Sequence, residues 1–209
     1  MPKTAPERGW TAILRVARGS PGANWTARGM GLDSKEEKMS ENPKVQKALD
    51  DMAYVRQTTK DRCGHYKGEE LGEMKCKPVP QFPGITNLNE LYAVLRKCWR
   101  ADTAYPDCQK DWEPSDPTYG QCAITAALVC DMFGGSIHKI TNKGGGTHYF
   151  NKINDKWVDL TYEQFTLWND DYKETPNRTI PRNRTCQTGS TRNRYVKLQQ
   201  NMMVYLNQK

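Results

Sequence analysis

Thr118-Tyr119-Gly120-Gln121-Cys122-Ala123-Ile124-Thr125-Ala126-Ala127-Leu128-Val129-Cys130 is the stretch whose reading decides the fold. From Ala123 onward nearly every side chain is apolar, which describes a helix buried on all sides, and Gly134-Gly135 supplies its stop signal. Thr118 with Gln121 three residues later has capping-box spacing, so the helix is predicted to run from about Thr118 to Phe133 with Cys122 in its first turn. Orphan N–H groups and the positive end of the helix dipole meet there, favouring a thiolate over a thiol. Cys130, two turns further on, reads as an ordinary core thiol.

Three short strands are predicted next: Ser136–Thr141, Thr147–Ile153 and Lys156–Leu160. The first connection is the Gly144-Gly145-Gly146 loop and the second is a two-residue turn at Asn154-Asp155. That turn pairs Ile153 with Lys156 and Phe150 with Asp159. His148 then shares a face with Phe150, Trp157 and Asp159 and lies diagonally from the carboxylate. Such neighbours are about 7–8 Å apart at the backbone, within reach of an imidazole–carboxylate hydrogen bond.

The expected constellation is therefore Cys122 as nucleophile, His148 as base and Asp159 as the group that orients the base. His138 is the second choice of base. Asn151 falls on the opposite face of its strand from His148. Tyr119, Gln121 and Trp112 are candidates for the pocket wall or for contacts to an oxyanion. A cysteine in an apolar helix and a histidine before an aromatic strand are each common core chemistry; their joint order, with Gly-Gln before the cysteine, carries the catalytic reading.

The rest of the chain frames this segment. Residues 1–38, rich in Gly, Ala, Arg and Pro, show no sustained period and read as a disordered basic extension, with Met39 as an alternative start. Residues 39–85 read as a helix from Asn42 to about Thr58, with Pro43 at its first position, followed by an irregular segment. Residues 86–209 hold the cysteine domain. It opens with a helix capped at Asn87-Leu88-Asn89-Glu90, whose buried stripe is Leu88, Leu91, Val94, Leu95 and Cys98. Residues 101–117 read as a long loop and 172–192 as irregular. A closing helix over about 193–207 sets Tyr195, Leu198, Met202 and Leu206 on one side.

Composition narrows the partners. With 36% hydrophobic and 26% charged residues the chain has a globular composition on the polar side, and no apolar run is long enough for a membrane span. The net charge of +7 is concentrated at the C-terminal end, where Arg178, Arg182, Arg184, Arg192 and Arg194 lie among Asn, Thr and Pro. A nucleic-acid interface would gather cations and aromatics on the folded unit, so this excess reads as a solvated loop or a contact for an acidic partner. Trp10-Thr11-Ala12-Ile13-Leu14 is cut short by Arg15, too brief for a secretory h-region. Seven cysteines at irregular spacings then point to reduced thiols and a cytoplasmic location. Cys63, His65 and Cys76 are zinc-type ligands without a second short pair, and free surface thiols are the preferred reading. No metal or cofactor is expected.

At these residues a resemblance becomes visible. Gly120-Gln121-Cys122, then His148, then Trp157-Val158-Asp159-Leu160-Thr161 resembles the core of the transglutaminase-like branch of the papain-like cysteine proteins. The runs at 119–126, 133–135, 146–151 and 158–165 are similar, more closely, to the uncharacterised YunG-like family of bacteria and their phages. The resemblance covers roughly residues 86–206. It implies an α+β, papain-like or transglutaminase-like fold in which a central cysteine-bearing helix packs on a small antiparallel sheet. It also implies Cys122, His148 and Asp159 in the three roles above, and it names no substrate.

Two functions follow as expectations. The first is a cysteine hydrolase or acyl-transfer enzyme of the peptidase or deamidase type, acting on an amide in a protein or peptide. The second is a catalytically inactive protein-interaction module on the same scaffold.

Overall fold

The computed structural model describes residues 40–59, 63–141, 146–168, 178–186 and 188–208. The chain divides between Glu37 and Lys38, and every described residue belongs to the second unit. The basic extension over 1–38 and the glycines at 144 and 145 lie outside the described residues.

Helix α1, Pro43–Thr58, starts as the residues dictate: Pro43 needs no N–H partner, and the Asn42 side chain accepts from the Lys44 amide at 2.9 Å. Helix α2, Leu88–Cys98, has Asn87 as its cap, accepting from the Glu90 amide at 2.9 Å. The Glu90 carboxylate does not close a capping box; it reaches back one residue further, to the Thr86 N–H at 2.6 Å and hydroxyl at 2.9 Å. The predicted stripe of α2 is buried, and Tyr92 and Ala93 are buried with it, because the helix is enclosed by α1 and by α6, Gly189–Asn207. One apolar core runs from Val45 of α1 through α2 to Leu206 of α6 without a break at residue 85.

Helix α3, Cys122–Phe133, starts four residues later than predicted. Thr118 does not cap it, since its hydroxyl donates to the Asp116 carboxylate at 3.2 Å and Gln121 occupies the cap position. Cys122 is consequently the first helical residue. α3 packs on the sheet and on α6, and the Trp99 indole at the end of α2 donates to the Thr125 hydroxyl at 3.2 Å.

The sheet is antiparallel in the order β3-β2-β1-β4. Strands β1, Ser136–Thr141, and β2, Thr147–Ile153, have the predicted limits. β3 is shorter than predicted, Lys156–Val158. Asn154 and Asp155 both have positive φ, 49° and 61°, the backbone of a type I′ turn, and Ile153 pairs with Lys156 as that turn requires. The ladder ends at Asn151 opposite Val158, so Phe150 and Asp159 do not pair. Asp159 instead exchanges backbone hydrogen bonds with Lys67, at 3.2 and 2.9 Å.

The region expected to be irregular holds two elements: β4, Arg178–Ile180, pairs antiparallel with β1, and α5, Arg182–Thr185, follows. α6 begins four residues before its predicted start, where the Thr188 side chain accepts from the Thr191 amide. The loop predicted at 101–117 contains two 3₁₀ helices, Ala101–Thr103 and Pro106–Asp111. Helix α4, Glu163–Trp168, follows β3. No helix among the described residues is long and apolar enough to cross a membrane.

Candidate active site

Gly120 and Gln121 deliver Cys122 to the start of α3. Gly120 has φ +72°, and a Cβ added there would sit 2.7 Å from the Cβ of Cys108, so only glycine fits. Its carbonyl accepts from the Tyr105 amide at 2.8 Å. The Gln121 side chain is fully buried and spends its Nε2 on the Arg100 carbonyl at 3.0 Å, while its Oε1 has no partner among the described residues. Gln121 thus ties the start of α3 to the 100–105 loop. Cys122 is half-buried, and its Sγ lies 4.0 Å from the Thr147 carbonyl oxygen, beside His148.

β2 sorts the side chains by parity. Asn151 donates to the Ala126 carbonyl of α3 at 2.9 Å, so it faces the helix, opposite to His148 as expected. His148 is 1% exposed and its Nε2 lies 2.6 Å from Asp159 Oδ2. With Nε2 occupied, the other ring nitrogen is not engaged by Asp159, and the Cys122 thiol is among the groups that raise the imidazole. Phe165 of α4 stands edge-on to the ring at 4.7 Å and Phe150 stacks on it at 6.1 Å. The second oxygen of Asp159 accepts from the Thr161 amide at 2.9 Å and hydroxyl at 2.8 Å. Both oxygens of that buried carboxylate are therefore engaged.

The electrostatics follow from this packing. Burial disfavours a charged imidazole, yet the Asp159 charge and hydrogen bond, aided by Cys122, outweigh it and lift His148 to about 10. An imidazolium is the stable form at neutral pH. Such a site can hold a proton beside a thiol and surrender it to a leaving group.

The other candidates have different engagements. His138 shares the face of Phe150, stacking on it at 6.0 Å, and its Nε2 pairs with the Ser136 hydroxyl at 2.9 Å. The Phe150 ring is the common neighbour of both histidines. The Trp112 indole donates to the Pro117 carbonyl at 3.2 Å, and the Tyr119 amide donates to the Asp116 carbonyl at 3.3 Å. Cys130 is half-buried rather than a core thiol, with its Sγ 3.7 Å from the Gly135 carbonyl oxygen.

Cys63, His65 and Cys76 have separate surroundings: burial and the Glu163 charge push the Cys63 thiol up to about 11, His65 Nδ1 lies 3.1 Å from Glu69, and the Cys76 thiol donates to the Ile85 carbonyl at 3.4 Å. Among the described residues no three His, Cys, Asp or Glu side chains are grouped to hold a metal ion. All seven cysteines are free thiols.

Sequence reasoning missed two tyrosines and one arginine near the thiol. Tyr105, Tyr149 and Arg194 all interact electrostatically with Cys122 or with one another around it. The arginine left a signal: Arg194 lies four residues before Leu198 and eight before Met202, on the buried stripe of α6. The five C-terminal arginines do not act as one solvated set. Arg178, Arg184 and Arg192 are exposed, Arg182 forms an ion pair with Asp131 at 2.6 Å, and Arg194 is buried.

Comparison with known proteins bears on this geometry. The model of the family described as YunG protein matches residues 87–207, more than half of the chain and the whole span of Cys122, His148 and Asp159. The chain belongs to the YunG family. A relative from Bacillus subtilis (strain 168), named Uncharacterized protein YunG, is 35% identical over 72 residues, 34% of this chain. The aligned stretch spans 57% of that relative's length. No solved structure matches the chain. The first 86 residues lie outside the YunG match, although α1 and the segment before α2 share the core with it.

Proposed function

We propose that this YunG-family chain is a cysteine-nucleophile hydrolase or acyl-transfer enzyme acting on an amide, either a peptide bond or a Gln/Asn carboxamide. The observation that carries the reading is the buried 2.6 Å contact between His148 Nε2 and Asp159 Oδ2, with the Cys122 thiol, at the first residue of a buried helix, 4.0 Å from the carbonyl oxygen of the residue before His148.

The Cys122 sulfur attacks the carbonyl carbon, forming a C–S bond and moving the carbonyl electrons onto oxygen. The first N–H groups of α3 lack intrahelical acceptors and face that developing charge. The tetrahedral adduct collapses, the C–N bond breaks, and the His148 imidazolium gives its proton to the departing amine or ammonia. A thioester remains. Neutral His148 then takes a proton from water or from an acceptor amine as it attacks the thioester, and the thiolate leaves, restoring the ion pair. Asp159 holds the ring's tautomer and orientation throughout.

The arrangement of thiol, imidazole and carboxylate also supports grouping the fold with the papain-like and transglutaminase-like cysteine proteins. The substrate is a protein or peptide, and the chemistry needs no cofactor. The seven free thiols fit a reducing cytoplasmic setting.

The competing reading is a non-catalytic module that binds an acidic protein through the exposed Arg178, Arg184 and Arg192. Iodoacetamide labelling of the native protein at pH 6 separates them. An enzyme labels Cys122 far faster than the other six thiols, and uniform or negligible labelling there overturns the enzymatic reading.

A further inference from the structure

Arg194 of α6 is 5% exposed, yet it forms no ion pair with an Asp or Glu among the described residues. Its Nη1 donates to the Thr103 carbonyl at 3.2 Å and its Nη2 to the Thr191 hydroxyl at 3.3 Å, both neutral acceptors. Its Nε has no hydrogen-bond partner among the described residues. Other arginines in the fold are answered by carboxylates: Arg56 by Glu69, Arg96 by Glu163 and Arg182 by Asp131. An interior guanidinium with only neutral partners is costly and calls for an anion.

The place of Arg194 indicates which anion. Its guanidinium lies over the Tyr105 ring, 5.8 Å from the centroid, and its Thr103 contact holds the 3₁₀ helix Ala101–Thr103. The residues leading into Cys122 hold the same loop from their side, Gln121 through Arg100 and Gly120 through Tyr105. α6 and the start of α3 thus grip one short loop together. The groups whose negative forms interact with the Arg194 charge are Cys122, Cys186, Cys108 and Tyr105, with Cys122 foremost.

We propose that Arg194 is a positioning residue for the nucleophile, fixing the Arg100–Tyr105 loop beneath the start of α3 and serving as countercharge to the Cys122 anion. This inference rests on the cysteine-nucleophile reading given above. The thiol then has two cationic neighbours with different duties. His148 carries the mobile proton, whereas Arg194 keeps its charge at every working pH. Tyr149 from β2 and Cys108 from the second 3₁₀ helix are the other titratable groups coupled to the thiol, and both are neutral at pH 6.

The test is the pH profile of Cys122 alkylation by iodoacetamide in the full chain, read residue by residue by peptide mass mapping. Arg194→Gln lowers the rate at pH 6 by about tenfold and leaves it nearly unchanged at high pH. Arg194→Lys keeps the charge and retains most of the rate at pH 6. Equal profiles for wild type and a folded Arg194→Gln overturn the inference. If the glutamine variant does not fold, Arg194→Lys decides: a folded lysine variant as slow at pH 6 as exposed thiols overturns it, and near-native labelling supports it. A wild-type Cys122 no faster than the other thiols is a different outcome, and it removes the enzymatic reading and this inference together.

Discussion

His148 and Asp159 form a hydrogen-bonded ion pair sealed from water, Nε2 to Oδ2 at 2.6 Å with the two residues 1% and 2% exposed. The pair joins β2 to the residue just past β3, so it fastens the hairpin as well as orienting the ring. Its pH dependence has a definite sign. The imidazole is raised from its ordinary value of 6.5 to about 10 in the folded protein. Its stabilisation is therefore complete below the unfolded value and is lost as pH rises through the folded one. Thermal unfolding between pH 6 and pH 10 should show stability declining across that interval. Asp159→Asn should flatten the decline; an unchanged slope in that variant would sink the assignment.

Removing the carboxylate altogether should be severe. Asp159→Ala leaves a buried imidazole and the Thr161 N–H and hydroxyl without their acceptor. A loss of about 3–5 kcal/mol in urea unfolding is expected, the range for breaking a buried pair on one side.

Cys122→Ser changes one half-exposed atom at the first position of α3. Urea midpoints should move by less than about 1 kcal/mol in stability. Amide turnover, once a substrate is found by screening peptides and carboxamides, should fall below detection. Retained activity with a serine at 122 would exclude the thiolate mechanism.

Gly120→Ala meets two obstacles, a φ of +72° and the Cys108 Cβ at 2.7 Å. Backbone strain alone should cost about 1–3 kcal/mol. Because residue 120 sets the entry to α3, the variant should also label more slowly at Cys122 even where it is folded. Cys108→Gly in the same chain should recover part of the stability by relieving the contact, and no recovery would assign the whole cost to φ.

The turn offers a gain. Asp155 holds φ 61°, and Asn-Gly is the preferred type I′ pair, so Asp155→Gly should stabilise the hairpin by about 0.5–1 kcal/mol. The substitution deletes the Lys152–Asp155 ion pair, but Asp155 is 96% exposed there and such a pair contributes little. A measured loss would mean that this ion pair outweighs the backbone term.

What was readable beforehand followed strong local rules. The limits of β1 and β2 and the turn between β2 and β3 came from period-two alternation and the Asn-Asp pair, and the cap of α2 from Asn87. The start of α3 lies beyond Thr118 because that residue has a competing acceptor in Asp116, which spacing alone does not reveal. β4 has little signal in the sequence because Arg178-Thr179-Ile180 is a three-residue edge strand between Asn177 and Pro181, defined by the β1 edge it meets. The end of β3 was overrun because Asp159 exchanges hydrogen bonds with Lys67, a partner 92 positions away along the chain. Arg194 shows its burial in the sequence, by its four-residue spacing to Leu198, but not its surroundings, since Thr103 and Tyr105 are distant along the chain.

The Lys67–Asp159 bridge has a consequence for what counts as the functional unit. The stretch shared with other YunG-family proteins starts at residue 87, yet the backbone that steadies Asp159 comes from residue 67. The Tyr92 hydroxyl likewise donates to the His65 carbonyl at 3.0 Å. Cutting the chain at its homology border would preserve every catalytic candidate and remove the scaffold that braces one of them. Inheritance and mechanics draw their frontiers at different residues here.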